Sequence, residues 1–150
     1  MARAIELAQS GMESNDGGPF GAVVVKDGKI IAEGRNRVTS TNDPTAHAEV
    51  VAIREACKAL GTFQLEGCSI YTSCEPCPMC LGAIYWARPD NVFFACTRED
   101  AAAAGFDDEM IYVELGKPNE HRRRPMTNIL RDEAIVVFRK WIEKPDKVEY

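Results

Sequence analysis

Ala4, Ile5, Leu7, Ala8 and Met12 recur at helical spacing, which predicts a first helix ended by Gly17-Gly18-Pro19. Two apolar runs follow, Phe20 to Lys26 and Lys29 to Gly34, with only Asp27-Gly28 between them, a strong hairpin signal. A polar loop from Asn36 to Pro44 leads to Thr45, a candidate N-cap for a helix that carries Ala48, Val51, Ala52, Glu55 and Leu60 and stops at Gly61. Cys68 to Ser73 reads as a third strand. Pro76 suits the first turn of a helix running through Ala87, with Pro89 just beyond its end. Asn91 to Cys96 reads as a strand, Arg98 to Ala104 as a short helix closed by Gly105, and Met126 to Leu130 as an edge strand. Ala134, Val137, Phe138, Trp141 and Ile142 share one face of a last helix that Pro145 stops.

Hairpin, helix, strand, helix, strand, helix is the order of an α/β layered domain whose later strands are joined by crossovers and are therefore mostly parallel. Ligands in such sheets collect at the carboxyl ends of the strands, where helices begin. With no repeat or long linker, residues 1–150 read as one domain, large enough for a core without disulfides. The longest apolar runs, Ala134 to Phe138 and Leu81 to Ala87, are too short to span a membrane. Met1 to Glu6 shows no secretory pattern, so the expected location is cytoplasmic. A net charge of -5 opposes broad binding to phosphate backbones, and nucleic acid is not the expected partner. One local exception is His121-Arg122-Arg123-Arg124, which reads first as a solvated loop and second as an anion or RNA patch.

Six cysteines in a chain without an export signal favour metal binding or catalysis over a disulfide set. Cys57, Cys68 and Cys96 lie in apolar stretches and are expected to be buried, inert thiols. Cys74, Cys77 and Cys80 cluster, and Cys77 and Cys80 project from one face of a helix. With His47 from another helix start they compose a three-ligand zinc site whose fourth position is open to water, as in catalytic rather than structural sites. Such a site makes hydroxide available near neutral pH. Glu49, two residues past His47, points away from the ligand direction and is the candidate proton shuttle. H-x-E followed by P-C-x-x-C is the signature of zinc base deaminases. Three plainer readings compete: a thioredoxin-like Cys77/Cys80 dithiol, a closed structural site with Cys74 as fourth ligand, and an ordinary helix-start His47.

The stretches GGPFGAVVVKDG, NDPTAHAEVVAIREACKAL, YTSCEPCPMCLGAIYWARP and AGFDDEMIY make the chain resemble the bacterial guanine deaminases of the cytidine deaminase-like superfamily. The resemblance implies a three-layer α/β/α fold with a five-stranded mixed sheet. It implies one zinc per subunit on His47, Cys77 and Cys80, and hydrolytic removal of an amino group from a purine with Glu49 relaying protons. It also implies substrate contacts at Phe20, Asn36, Asp108 and Tyr150, and a homodimer whose C-terminal helix and tail, about residues 131–150, close an active site, either their own or the neighbour's. Each contact has a plainer reading: Phe20 as core, Asn36 as a turn former, Asp108 as a solvated loop acid or cap, Tyr150 as a frayed end. Tyr85 and Trp86 are expected in the core, or second in a subunit interface. The rival functions are a tRNA adenosine deaminase, which the acidic charge opposes, a deaminase of guanosine or another aminated heterocycle, and a zinc-stabilised binding module without chemistry.

Overall fold

Asp27 and Gly28 take positive φ, 50° and 74°, the geometry that a two-residue hairpin turn requires. In the computed structural model, which describes residues Met1–Tyr150, they join β1 (Gly21–Lys26) to β2 (Lys29–Arg35). β3 (Cys68–Cys74) pairs antiparallel with the free side of β1, and β4 (Asn91–Cys96) pairs parallel with β3. The result is a four-stranded mixed sheet in the order β2-β1-β3-β4. Its parallel step needs a crossover, and helix α4 (Pro78–Ala87) supplies it.

Helices α1 (Ala2–Glu13) and α3 (Ala48–Leu60) occupy opposite faces of this sheet. Gly21 and Ala22 are successive in β1 and so face opposite ways, and Ala22 pairs with Gly34 of β2. A Cβ at Gly21 would lie 2.1 Å from the Ala4 carbonyl of α1, and one at Gly34 would lie 2.1 Å from the Ala48 carbonyl of α3. Each helix backbone therefore rests directly on a strand. Ala22, Val24, Ala48, Ala52, Leu65 and Ile70 fill the core on the α3 side, and Ile84 brings α4 onto the same layer. This is the three-layer α/β arrangement. Short helices α2 (Val38–Thr41) and α5 (Arg98–Ala103) follow β2 and β4, the latter opened by a capping box between Thr97 and Asp100.

The chain divides into two compact units, Met1–Asp108 and Glu109–Tyr150. The second holds α6 (Glu109–Leu115), a single 3-10 turn (Asn119–His121) and α7 (Arg131–Glu143). Part of its arginine run is engaged within the unit. Arg122 donates to the carbonyls of Lys117 and Leu115, closing the end of α6, and the Arg123 N–H donates to Glu114.

Several expectations are corrected. The sheet has four strands, not five, because Met126 to Leu130 forms no ladder: Met126 N–H goes to Asn119 O, and Leu130 takes a left-handed φ of 53° as the N-cap of α7. The N-cap of α3 is His47 rather than Thr45, whose N–H and hydroxyl are both spent on Asp43 Oδ1. Helix α4 starts at Pro78 rather than Pro76, since a residue before proline is held extended, as Cys77 is at φ -62° and ψ 167°. Tyr85 and Trp86 are not core residues but 75% and 64% exposed, and Cys96 is an exposed rather than a buried thiol. Helices α2, inside the expected loop from Asn36 to Pro44, and α6 have no counterpart in the sequence reading.

Candidate metal centre and its cavity

His47 and Cys77 hold the same place in two helices: each is an N-cap with extended backbone, His47 for α3 and Cys77 for α4. Unpaired N–H groups and the positive ends of both helix dipoles thus converge where these side chains meet, which favours thiolate. Cys80, one turn into α4, is buried beside them. His47 Nδ1 lies 3.6 Å from Cys77 Sγ and 3.5 Å from Cys80 Sγ, and the three ligand atoms all fall within 4.8 Å of one another. Zinc bonds of about 2.0 Å to nitrogen and about 2.3 Å to sulfur, at a tetrahedral angle, separate the two atoms by about 3.5 Å. The cluster therefore fits that ion.

Its electrostatics agree with its donor set. The Cys77 thiol is held down to about 4, chiefly by a hydrogen bond from Cys80, with His47 adding to it against the cost of burial. Cys80 moves the opposite way because it keeps the proton that it shares with Cys77. The same contact with Cys77 raises His47. Side-chain geometry alone already holds one thiolate, and a cation would expel the second proton. Cys74 stands outside the cluster, its Sγ directed at Thr97 O at 3.5 Å, and burial pushes its thiol up to about 11.

Glu49, the second residue of α3, is 5% exposed and lines the same cavity as His47 and Cys77. Burial raises its carboxyl above the ordinary carboxylate range, a property that suits a group which must take up a proton and give it back. The cavity measures about 370 Å³, enough for a small heterocycle. Phe20 and Phe106 meet on its wall edge to face, with ring centroids 4.9 Å apart at 85°. Asn36, 5% exposed, lines it with Oδ1 accepting from the Val38 N–H. Asp108 lines it too, its carboxyl raised first by burial and then by the Cys77 charge.

Seven of the eight residues expected from the sequence thus gather here: His47, Glu49, Cys77 and Cys80 at the cluster, with Phe20, Asn36 and Asp108 around it. Tyr150 belongs to the second unit and is exposed. Sequence reasoning missed Phe106, Thr39 and Arg98 on the cavity wall. Gly105-Phe106 after a short helix was the one available signal for the first of them, and nothing local marked the other two.

The model of the cytidine and deoxycytidylate deaminase zinc-binding region matches residues 1–96, which include the whole cluster. The chain belongs to this zinc-dependent deaminase family. Guanine deaminase of Bacillus subtilis is 59% identical over 150 residues, covering 100% of this deaminase and 96% of the relative. Its X-ray structure superposes with a TM-score of 0.97 over 99% of this chain and 95% of that one. A structure of guanine deaminase from Nitrosomonas europaea is 32% identical, with a TM-score of 0.68 over 93% of this chain and 80% of that one. The tRNA-specific adenosine deaminase of Bacillus subtilis is 42% identical over 134 residues, 89% of this chain and 81% of that protein. This deaminase is thus a zinc-dependent hydrolase with an α/β fold, and none of its helices is long and apolar enough to cross a membrane.

Proposed function

We propose that this chain hydrolyses guanine to xanthine and ammonia. The observation that carries the reading is a buried carboxyl, Glu49, in one heterocycle-sized cavity with the His47, Cys77 and Cys80 cluster. The identity across the full length of a guanine deaminase selects the substrate. Zinc held by His47 Nδ1, Cys77 Sγ and Cys80 Sγ would supply activation of a water at neutral pH. Glu49 takes one proton from the attacking water and gives it to the ring nitrogen, then takes the second from the newly bound hydroxyl and gives it to the leaving amine. A carbon–oxygen bond forms at the amino-bearing carbon and the carbon–nitrogen bond breaks, with no change of electron count. Phe20 and Phe106 offer apolar ring surface to a flat base, Asn36 meets its edge, and Asp108 accepts from a ring N–H. Tyr150 is assigned to cover the base on the strength of the resemblance.

A homodimer, with the segment 131–150 closing an active site, is part of the same proposal. Phe93 and Phe94 of β4 are 45% and 48% exposed, and Val137, Phe138 and Ile142 of α7 are 67%, 65% and 68% exposed, surfaces that ask for a partner. A cytoplasmic setting is part of the same proposal, since two cysteine ligands to zinc require reduced thiols. The test of function is ammonia release from guanine, guanosine, cytosine, cytidine, adenine and adenosine by the zinc-loaded protein. Guanine is expected to lead, and preference for a nucleoside would replace this substrate with a larger one.

A further inference from the structure

The Asn36 amide is oriented by what surrounds it. A backbone N–H can only donate, so the Asn36 atom 3.1 Å from Val38 N is its carbonyl oxygen. That oxygen is turned to the Val38 N–H and to Gly17, which leaves Nδ2 as the group that Asn36 offers to a ligand in the cavity it lines. Its backbone is fixed as well, the Asn36 N–H donating to Phe20 O at 3.0 Å.

The segment before Phe20 closes over this amide. Gly17 stands so near that a Cβ there would fall 2.1 Å from Asn36 Oδ1 and 2.9 Å from Asn36 O. Asp16 ties the same segment to the chain on both sides of Asn36. Its carbonyl accepts from the Ser40 N–H at 3.1 Å and the Thr39 hydroxyl at 3.0 Å, and its Oδ2 lies 2.6 Å from Arg35 Nη2. Oδ2 is buried with no aligned hydrogen-bond donor, so the Arg35 contact is one of charge, and it is the partner that this oxygen has.

We infer that Asp16 and Gly17 are positioning residues that hold the Asn36 amide with its nitrogen toward the cavity, so that the site selects a heterocycle presenting a hydrogen-bond acceptor at that edge, an oxo group or an unprotonated ring nitrogen. The inference rests on the proposed function for the class of substrate. It assigns the polarity of the contact to two residues that need not touch the base.

The test is a mutant cycle on the zinc-loaded enzyme, comparing Asp16→Asn, Gly17→Ala, Asn36→Ala and the Asp16→Asn/Asn36→Ala pair, with zinc content and unfolding midpoint followed throughout. Asp16→Asn and Gly17→Ala are each expected to raise KM about tenfold, the loss of one well-aligned hydrogen bond, while kcat stays within about threefold. In the Asn36→Ala background, Asp16→Asn is expected to add nothing, because its route to substrate is already gone. An unchanged KM in both single variants, a fall in kcat alone, or the same KM increase with and without Asn36 overturns the inference. Should Asp16→Asn fail to fold, Gly17→Ala carries the cycle in its place. Absence of guanine turnover by the unaltered chain would instead overturn the substrate reading, and the cycle is then run on whichever heterocycle of the panel is deaminated.

Discussion

A carboxyl as buried as Glu49 resists ionisation, and in this cavity that resistance is useful, because the group sits beside the cluster and can carry a proton from water to leaving amine. Glu49→Gln keeps the shape and removes the exchangeable proton. It is expected to retain one zinc per chain by metal analysis while kcat falls by about a hundredfold or more. Cys74→Ser separates the open site from the closed one. With Cys74 Sγ directed at Thr97 O, zinc content and most of the turnover are expected to survive, and their joint loss would make Cys74 a ligand. These residues were legible in the sequence because ligands and shuttle sit in two short segments whose spacing is local. Thr39, Arg98 and Phe106 were not, since only the packing of loops far apart in sequence brings them to one wall.

Strands and helix ends were readable wherever a local rule sets them: the Asp27-Gly28 turn, Gly61 at φ 66° after α3, and Pro89 after α4. The edge strand at Met126 to Leu130 failed because a ladder depends on a partner, which local alternation does not supply. Neither α5 nor α6, at six and seven residues, is long enough to display a period; α5 was read from the Gly105 that closes it, and α6 was missed. Gly21 and Gly34 make an element-scale comparison, each placing a helix backbone against the sheet. Alanine at either is expected to cost about 1–3 kcal/mol of stability in denaturant melts. Gly34→Ala is also expected to weaken zinc affinity, since α3 carries His47 and Glu49, whereas Gly21→Ala bears on α1 and leaves zinc affinity alone. At the start of α1, Arg3 grips Glu33 of β2 through two hydrogen bonds of 2.7 and 2.8 Å, which lower the Glu33 carboxyl. A depressed carboxyl stabilises above its unfolded pKa and loses that contribution as pH falls through the folded one. The melting difference between the unaltered chain and Glu33→Gln is therefore expected at neutral pH and to vanish in acid.

For the molecule as a whole, the charge of -5 weighs against a phosphate backbone as ligand, so the chain is expected to pass a heparin column without retention. The exposed apolar residues of β4 and α7 lead to the expectation of a dimer by sedimentation, and a monomer at micromolar concentration would leave those surfaces without the partner proposed for them. The layered α/β order was visible in the succession of elements, whereas the division at Asp108 was not, because compactness is a property of contacts rather than of pattern. Ammonia release from guanine, measured on the zinc-loaded protein, after chelation and after zinc is restored, bears most directly on the account. Turnover is expected to disappear with the metal and return with it. Undiminished activity in the chelated protein, verified free of metal, would contradict the account at its root.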